Sequence, residues 1–449
     1  MFFPIDWQKF WGLFEYVPGD PLLFGSSLFL FSFFFVLVFY RLFAKSRAAR
    51  IYLLILFSIF FYYKSSGLFF FILLASSLFN FYSGKFIFNA KTQSIKTLIF
   101  VVTIALNLGI LGYFKYTNFI LQILTDLNVG QFDPLNIFLP IGISFFTFKA
   151  MSYVIEIYLE MLEPTDSLRD FTLFVCFFAN TQMGPIDRAS NILPQIATER
   201  IVLSEDVGRA LFLILCGLFK KFVIADYLAL NFTDRVFDFP LRYTGVENHL
   251  AMYAFALQAY CDFSGYTDMA MGVALLFGYK LMDNFNKPFR ANSVSDYWRR
   301  WHLSLSTWLL DFVFKPLQIK FRNMRMAGTS LAILVTFFIV GLWHGPNWTF
   351  IIFGLLHSIY LIIGLTTQKF RQNLWSKLGV SKYKFFRVIQ VLFTFHLLCF
   401  TAVLFRSPSL EYTMNMFHQI LNFYNAEVFR QFVVAYDEIV LLLIIGFGT

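Results

Sequence analysis

Apolar residues fall in runs separated by short polar connectors along the whole chain, near residues 22–40, 51–63, 68–82, 98–114, 135–158, 171–180, 211–230, 250–280, 303–314, 331–343, 348–365, 389–405 and 438–447. Within Leu28 to Tyr40 and Trp348 to Leu365 the apolar positions do not alternate with polar ones, which excludes the strands of a closed membrane barrel and leaves helices. The hydrocarbon core of a bilayer is about 30 Å thick and takes roughly 20 apolar residues per spanning helix. Several runs fall short of that. Leu331 to Trp343, at about 1.5 Å per residue, covers only about 20 Å, so the pattern predicts segments that are re-entrant or buried in protein. The expected fold is an all-α polytopic membrane protein of about 10–13 transmembrane or re-entrant helices, with 250–280 forming one helix or two short pieces. With no internal repeat and no low-complexity linker, residues 1–449 are expected to form a single membrane domain. Its N-terminal helices lie in 1–130, its core in 135–365 and its C-terminal helices in 385–449. The chain stops at Phe447-Gly448-Thr449, within or just after an apolar run, as a C-terminally truncated chain would.

Composition strengthens the membrane reading. Hydrophobic residues make up 58% of the chain, charged residues only 14%, and 64 positions are Phe, whereas soluble domains carry roughly 25% charged residues. The net charge of +9 does not point to nucleic acid, because no basic domain lies outside the apolar runs. It reads as topology instead. Arg41, Lys45, Arg47 and Arg50, then Lys85, Lys91 and Lys96, gather in short connectors that the positive-inside rule makes cytoplasmic, with the N-terminus outside. Met1 to Gly19 carry Asp6 and Glu15 and have neither a basic region nor a small-residue cleavage site, so the first helix is expected to be retained. Cys176, Cys216, Cys261 and Cys399 lie inside apolar stretches with no metal or disulfide spacing.

Two segments could carry chemistry. In Asp296 to Pro316, helical spacing would put Trp298, Trp301, His302, Leu305, Trp308, Leu309 and Phe312 on one face, with Arg299, Arg300, Ser304 and Thr307 to the sides. Such a segment suits an interfacial anchor, but a histidine on its apolar face is also a functional candidate. In Gly341-Leu-Trp343-His344-Gly-Pro-Asn347-Trp348, Gly345 and Pro346 break the helix at His344. Two readings are open there: a surface turn, or a neutral imidazole at membrane depth ready to accept a proton. A third polar cluster, Tyr260 to Asp268, holds Asp262 and Asp268 and suits either helix capping or a carboxylate pair in a transport path. HExxH, GxSxG, GxxxxGK[ST] and Cys/His metal spacings are all missing, so zinc hydrolase, serine hydrolase and P-loop chemistry lack their minimum parts. No metal is expected.

These residues resemble the membrane-bound O-acyltransferases, within them the bacterial alginate O-acetylation proteins and the teichoic-acid D-alanyl transfer proteins. The likeness runs through Leu139 to Phe148, Gly184-Pro-Ile-Asp-Arg188, Gly217 to Asp226, Asp262 to Asp268, Asn284-Phe-Asn-Lys-Pro288, Asp296 to Pro316 and Trp343-His-Gly345. Two positions depart from the pattern, Leu310 where arginine is usual and Asp187 where an apolar residue is usual. The resemblance implies a ring of tilted helices around a central tunnel, with His344 catalytic and His302 its companion. Trp298, Arg299, Arg300, Trp301, Trp343, Asn347, Asp262 and Asp268 are the candidates for binding donor or substrate. The implied activity is transfer of an acyl group, acetyl above all, from a cytosolic thioester such as acetyl-CoA towards an extracytoplasmic polysaccharide. The resemblance also implies surrounding membrane lipid, a periplasmic or membrane-anchored acetyltransferase as partner, and a place in the bacterial cytoplasmic (inner) membrane. No tightly bound cofactor is expected. On this reading Arg299, Arg300, Lys315 and Lys320 guide donor phosphates, His344 is general base, and His302 orients the thioester or stabilises its carbonyl oxygen. The rivals are D-alanyl transfer to an envelope polymer, a transporter or flippase built on Asp262 and Asp268, and a non-enzymatic scaffold.

Overall fold

The computed structural model describes residues 6–198 and 202–448; expectations resting on Met1 to Ile5 and on Thr449 lie outside the described residues. The described chain is helical almost throughout. Among these residues no strand forms, and the single antiparallel bridge joins Phe285 and Trp301. Five helical stretches among them are long and apolar enough to cross a membrane: Arg47–Phe88, Gln93–Asp126, Arg322–His344, Trp348–Thr366 and Lys384–Arg406. The first of these holds two helices, Arg47–Ser66 and Phe70–Phe88, joined by the tight turn Gly67–Phe69.

One open alternative closes and two local expectations change. Gly245–Leu276 is one continuous helix rather than two pieces; at its start the Thr244 backbone N–H and hydroxyl both donate to Glu247 Oε2, at 2.8 and 3.0 Å, so the Glu247 carboxylate reaches back over the first turn. The segment expected to be only 331–343 is the 20-residue helix Arg325–His344, which spans about 30 Å. Met326 to Ser330 hold small and polar residues but no proline, so nothing stops the helix from extending backwards. His344 therefore ends a full-length span rather than a short re-entrant segment. Third, Asp296 to Pro316 does not present one helical face. It divides into helices Val294–Trp298 and Leu303–Leu309, the π-helical turn Leu310–Phe314 and the helix Lys315–Lys320.

Contacts divide the chain into two compact units, Met1–Cys216 with Tyr266–Met282, and Gly217–Gly265 with Asp283–Thr449. In the first, the ring of Phe178 meets those of Phe57 at 4.8 Å, Phe61 at 5.8 Å and Phe277 at 6.0 Å, pairs worth about 0.5–1.5 kcal/mol each beyond the area they bury. Polar side chains in the same unit close on one another. Asn80 and Asn107 exchange amide hydrogen bonds of 3.1 and 2.9 Å between helices Phe70–Phe88 and Gln93–Asp126, a way of joining helices where apolar burial gives no preference over lipid. Lys149 Nζ donates to Asn180 Oδ1 at 2.7 Å, Asn180 Nδ2 donates to Asp187 Oδ2 at 3.2 Å, and Asp187 Oδ1 accepts from Asn191 and from the Met282 backbone.

The second unit holds a core around Leu228, Val236, Ala251, Leu257, Cys399 and Val403. Its helices Arg325–His344 and Trp348–Thr366 form a hairpin across Gly345-Pro346-Asn347. Gly341 makes the close crossing possible, since a Cβ there would stand 2.5 Å from the Phe350 carbonyl oxygen.

Candidate active site

Both sequence-predicted histidines lie in the second unit, and one tryptophan joins them. The Trp343 ring stands 5.4 Å from the His302 ring and 4.9 Å from the His344 ring, edge-on to each. His344 closes the helix Arg325–His344. It is half-buried, with Phe405 at 4.8 Å and Phe353 at 5.9 Å around its ring.

His302 is fully buried, 1% exposed, and its backbone is left-handed at φ 45° and ψ 54°, an uncommon conformation for a residue with a side chain. The surrounding backbone imposes it. The bridge between Phe285 and Trp301 is flanked by hydrogen bonds from Asn286 N to Arg300 O at 2.9 Å and from Leu303 N to Asn284 O at 2.9 Å, which pull the chain out of the helical path at this point. Phe263 packs edge-on against the imidazole at 4.7 Å. Burial of the ring holds its pKa well below the ordinary histidine value, so the neutral form is the resident one. Its Nδ1 lies 3.0 Å from Asn284 Oδ1, and Nε2 is buried without a hydrogen-bond partner among the described residues.

The remaining candidates sort by what they touch. Trp301 stacks on Tyr297 at 5.5 Å and meets Phe285 edge-on at 5.0 Å, beside the histidine. Arg299 is exposed. Arg300 pairs with Asp296 at 3.0 Å and donates to Asn286 O. Lys315 pairs with Asp311 at 2.6 Å, and Lys320 is exposed. Asp262 and Asp226 share Lys221, at 2.7 and 2.8 Å, where the chain from Phe219 to Ala225 is π-helical; Asp262 is thus an ion-pair partner one residue from Phe263. Asp268 belongs to the first unit. Asn347 caps the helix Trp348–Thr366 by accepting from Thr349 N at 3.0 Å, and its amide donates to Pro408 O at 2.8 Å. Among the described residues no group of three or more metal-ligating side chains occurs.

Two residues escaped the sequence reading. His357, 1% exposed in the helix Trp348–Thr366, accepts from Trp298 Nε1 at 3.2 Å on Nδ1 and lies 3.1 Å from Thr401 Oγ1 through Nε2. The available signal was an imidazole inside an apolar run, which is expensive and calls for a partner. Asn284 was visible only as part of Asn284-Phe-Asn-Lys-Pro288; its pairing with His302, 18 residues on, depends on a chain reversal that no local periodicity announces.

Comparison with known proteins identifies the family. The profile of the membrane-bound O-acyltransferase family matches residues 160–407, which include His302, Trp343 and His344. The chain is 31% identical over 434 residues to a peptidoglycan O-acetyltransferase of Helicobacter pylori, covering 87% of this chain and 78% of that protein. It is 34% identical over 409 residues to a probable alginate O-acetylase of Azotobacter vinelandii, covering 90% and 78%. A teichoic acid D-alanyltransferase of Bacillus subtilis is 31% identical over 287 residues, covering 61% and 70%. With its membrane-length helices and its two histidines gathered on Trp343, the chain belongs to the membrane-bound O-acyltransferase family and is an O-acyltransferase.

Proposed function

We propose that the protein transfers an acetyl group from a cytosolic thioester, acetyl-CoA, towards O-acetylation of a polysaccharide outside the cytoplasmic membrane of a bacterium, with His344 and His302 handling the proton transfers. The observation that carries this reading is a pair of imidazoles close to the Trp343 ring, at 5.4 and 4.9 Å, with His302 fully buried and His344 half-buried among Phe405 and Phe353, where a general acid–base group is in reach of a bound substrate. Acetyl is preferred to D-alanyl because the relatives named for O-acetylation match 87% and 90% of the chain, against 61% for the teichoic acid D-alanyltransferase. The names of those relatives make peptidoglycan and alginate-like polymers the acceptors to try first. A periplasmic or membrane-anchored acetyltransferase completes the delivery. Exposed Arg299 and Lys320 are the basic groups available to donor phosphates.

The test is His344→Ala, expressed and inserted at the wild-type level, with the O-acetyl content of isolated envelope polysaccharide read by NMR. Loss of acetyl groups is expected. Wild-type acetylation in that variant overturns the part given to His344, and loss of D-alanine esters with acetyl groups intact transfers the reading to the second acyl group.

A further inference from the structure

The two nitrogens of His302 are not interchangeable, and neighbouring residues decide which carries hydrogen. Asn284 Oδ1 accepts from the Ser304 backbone N–H at 3.2 Å and from the Ser304 hydroxyl at 2.9 Å. A backbone N–H can only donate, so the atom of the Asn284 amide facing this group is its oxygen, and an amide oxygen has nothing to give. The 3.0 Å contact to His302 Nδ1 is therefore a hydrogen bond from the imidazole, and Nδ1 carries the hydrogen. In a neutral ring Nε2 then holds a lone pair. That lone pair is buried, and no donor among the described residues meets it, which costs about 1–3 kcal/mol in a folded protein unless something else supplies a hydrogen. The left-handed backbone at 302 aims the ring, so strain and an unmet acceptor coincide at one residue.

We infer that Asn284 is a positioning residue that holds His302 in the Nδ1–H form, so that His302 Nε2 accepts the hydrogen of the attacking hydroxyl. The inference rests on the acyl-transfer reading for its substrate. A thioester carries no hydrogen at its reacting atoms, whereas the acceptor, sugar or partner side chain, carries O–H; only the second can fill a lone pair. The neutral His302 has no hydrogen on Nε2 to offer a developing oxyanion, so its part is the acceptor's rather than the oxyanion stabiliser's. As the hydroxyl oxygen bonds to the thioester carbon, its proton passes to Nε2. The carbon–sulfur bond breaks with its electron pair on sulfur, and the proton moves on to that thiolate, giving an oxygen ester and a free thiol. While the ring is cationic, Asn284 Oδ1 keeps accepting from Nδ1.

Two measurements on the full-length protein in lipid nanodiscs test this. With ¹⁵N-labelled histidine, the His302 resonances, identified by their loss in His302→Gln, are expected to report hydrogen on Nδ1, and Asn284→Leu to abolish that preference. In transfer from acetyl-CoA, Asn284→Leu is expected to lower kcat about 100-fold with KM for acetyl-CoA within about threefold, the scale of a lost proton-transfer group. Asn284→Asp keeps an acceptor facing Nδ1 and should recover most of the rate. Because its carboxylate favours the imidazolium, the acid limb of the pH profile should move to higher pH. Hydrogen on Nε2 in the wild type, or an Asn284→Leu variant of wild-type kcat, overturns the inference. An inactive wild type instead overturns the acyl-transfer reading, and a fully active His344→Ala overturns only the part given to His344, while the tautomer remains readable by NMR.

Discussion

The second unit buries two imidazoles to the same extent, His302 and His357, each 1% exposed. They differ in what their nitrogens meet. Trp298 Nε1 can only donate, so His357 accepts on Nδ1 and carries its hydrogen on Nε2, which it gives to Thr401 Oγ1. Thr401 in turn donates to the Leu398 carbonyl at 2.9 Å. Every polar capacity of that ring is used, and it ties the Val294–Trp298 turn to helices Trp348–Thr366 and Lys384–Arg406. His302 has the opposite tautomer and keeps one nitrogen unmet among the described residues. Burial alone therefore does not distinguish a strut from a reacting group; accounting for donors and acceptors does. The Lys149, Asn180 and Asp187 chain of the first unit falls on the His357 side of this distinction, since both Asp187 carboxylate oxygens are occupied within the unit.

The sharpest way to break the comparison is to remove each ring. His302→Gln should reduce acetyl transfer by about 10²- to 10⁴-fold while leaving the melting temperature in detergent nearly unchanged. His357→Leu should do the reverse. It strands the buried Trp298 N–H, at about 1–3 kcal/mol, and takes the ring's hydrogen away from Thr401, whose hydroxyl keeps its bond to the Leu398 carbonyl, so the melting temperature falls while the surviving folded protein keeps most of its kcat. If His357→Leu lost rate without losing stability, the strut assignment would fail. Asn347 gives a milder contrast: Asn347→Ala removes a helix cap worth about 1 kcal/mol, and a differential scan of stability should register it with little change in transfer.

The smallest expected effect is on pH. Burial depresses the His302 pKa in the folded protein, while an unfolded chain takes up the proton near pH 6.5. As pH falls through that value the unfolded state binds more protons than the folded one, so stability is lost towards acid. His302→Gln should flatten the dependence of melting temperature between about pH 7.5 and 5.5; an unchanged slope would mean that the ring takes up its proton in the folded state.

The helical class and most of the spans were legible because apolar runs bounded by charged connectors have few alternatives in lipid. The residues around the two histidines marked them as candidates but left their roles open, and only the resemblance to the family pointed to catalysis. Helix ends were harder to read. Met326 to Ser330 looked like a connector by hydropathy, yet contain nothing that stops a helix already running from Leu331 to His344. The single-face reading of Asp296 to Pro316 failed for a non-local reason: the backbone of Asn284 to Asn286 competes for hydrogen bonds that a continuous helix would have kept. His357 and Asn284 were missed because their partners are 59 and 18 residues away along the chain.

The left-handed backbone at His302 narrows what can replace it independently of chemistry. Glycine, asparagine and aspartate tolerate that conformation, whereas valine, isoleucine and threonine add a branched Cβ to an already crowded geometry. In a saturation library at position 302, variants should separate along two axes. Asparagine and glycine should accumulate as well-folded, slow enzymes, and β-branched residues should vanish from the membrane before activity can be measured.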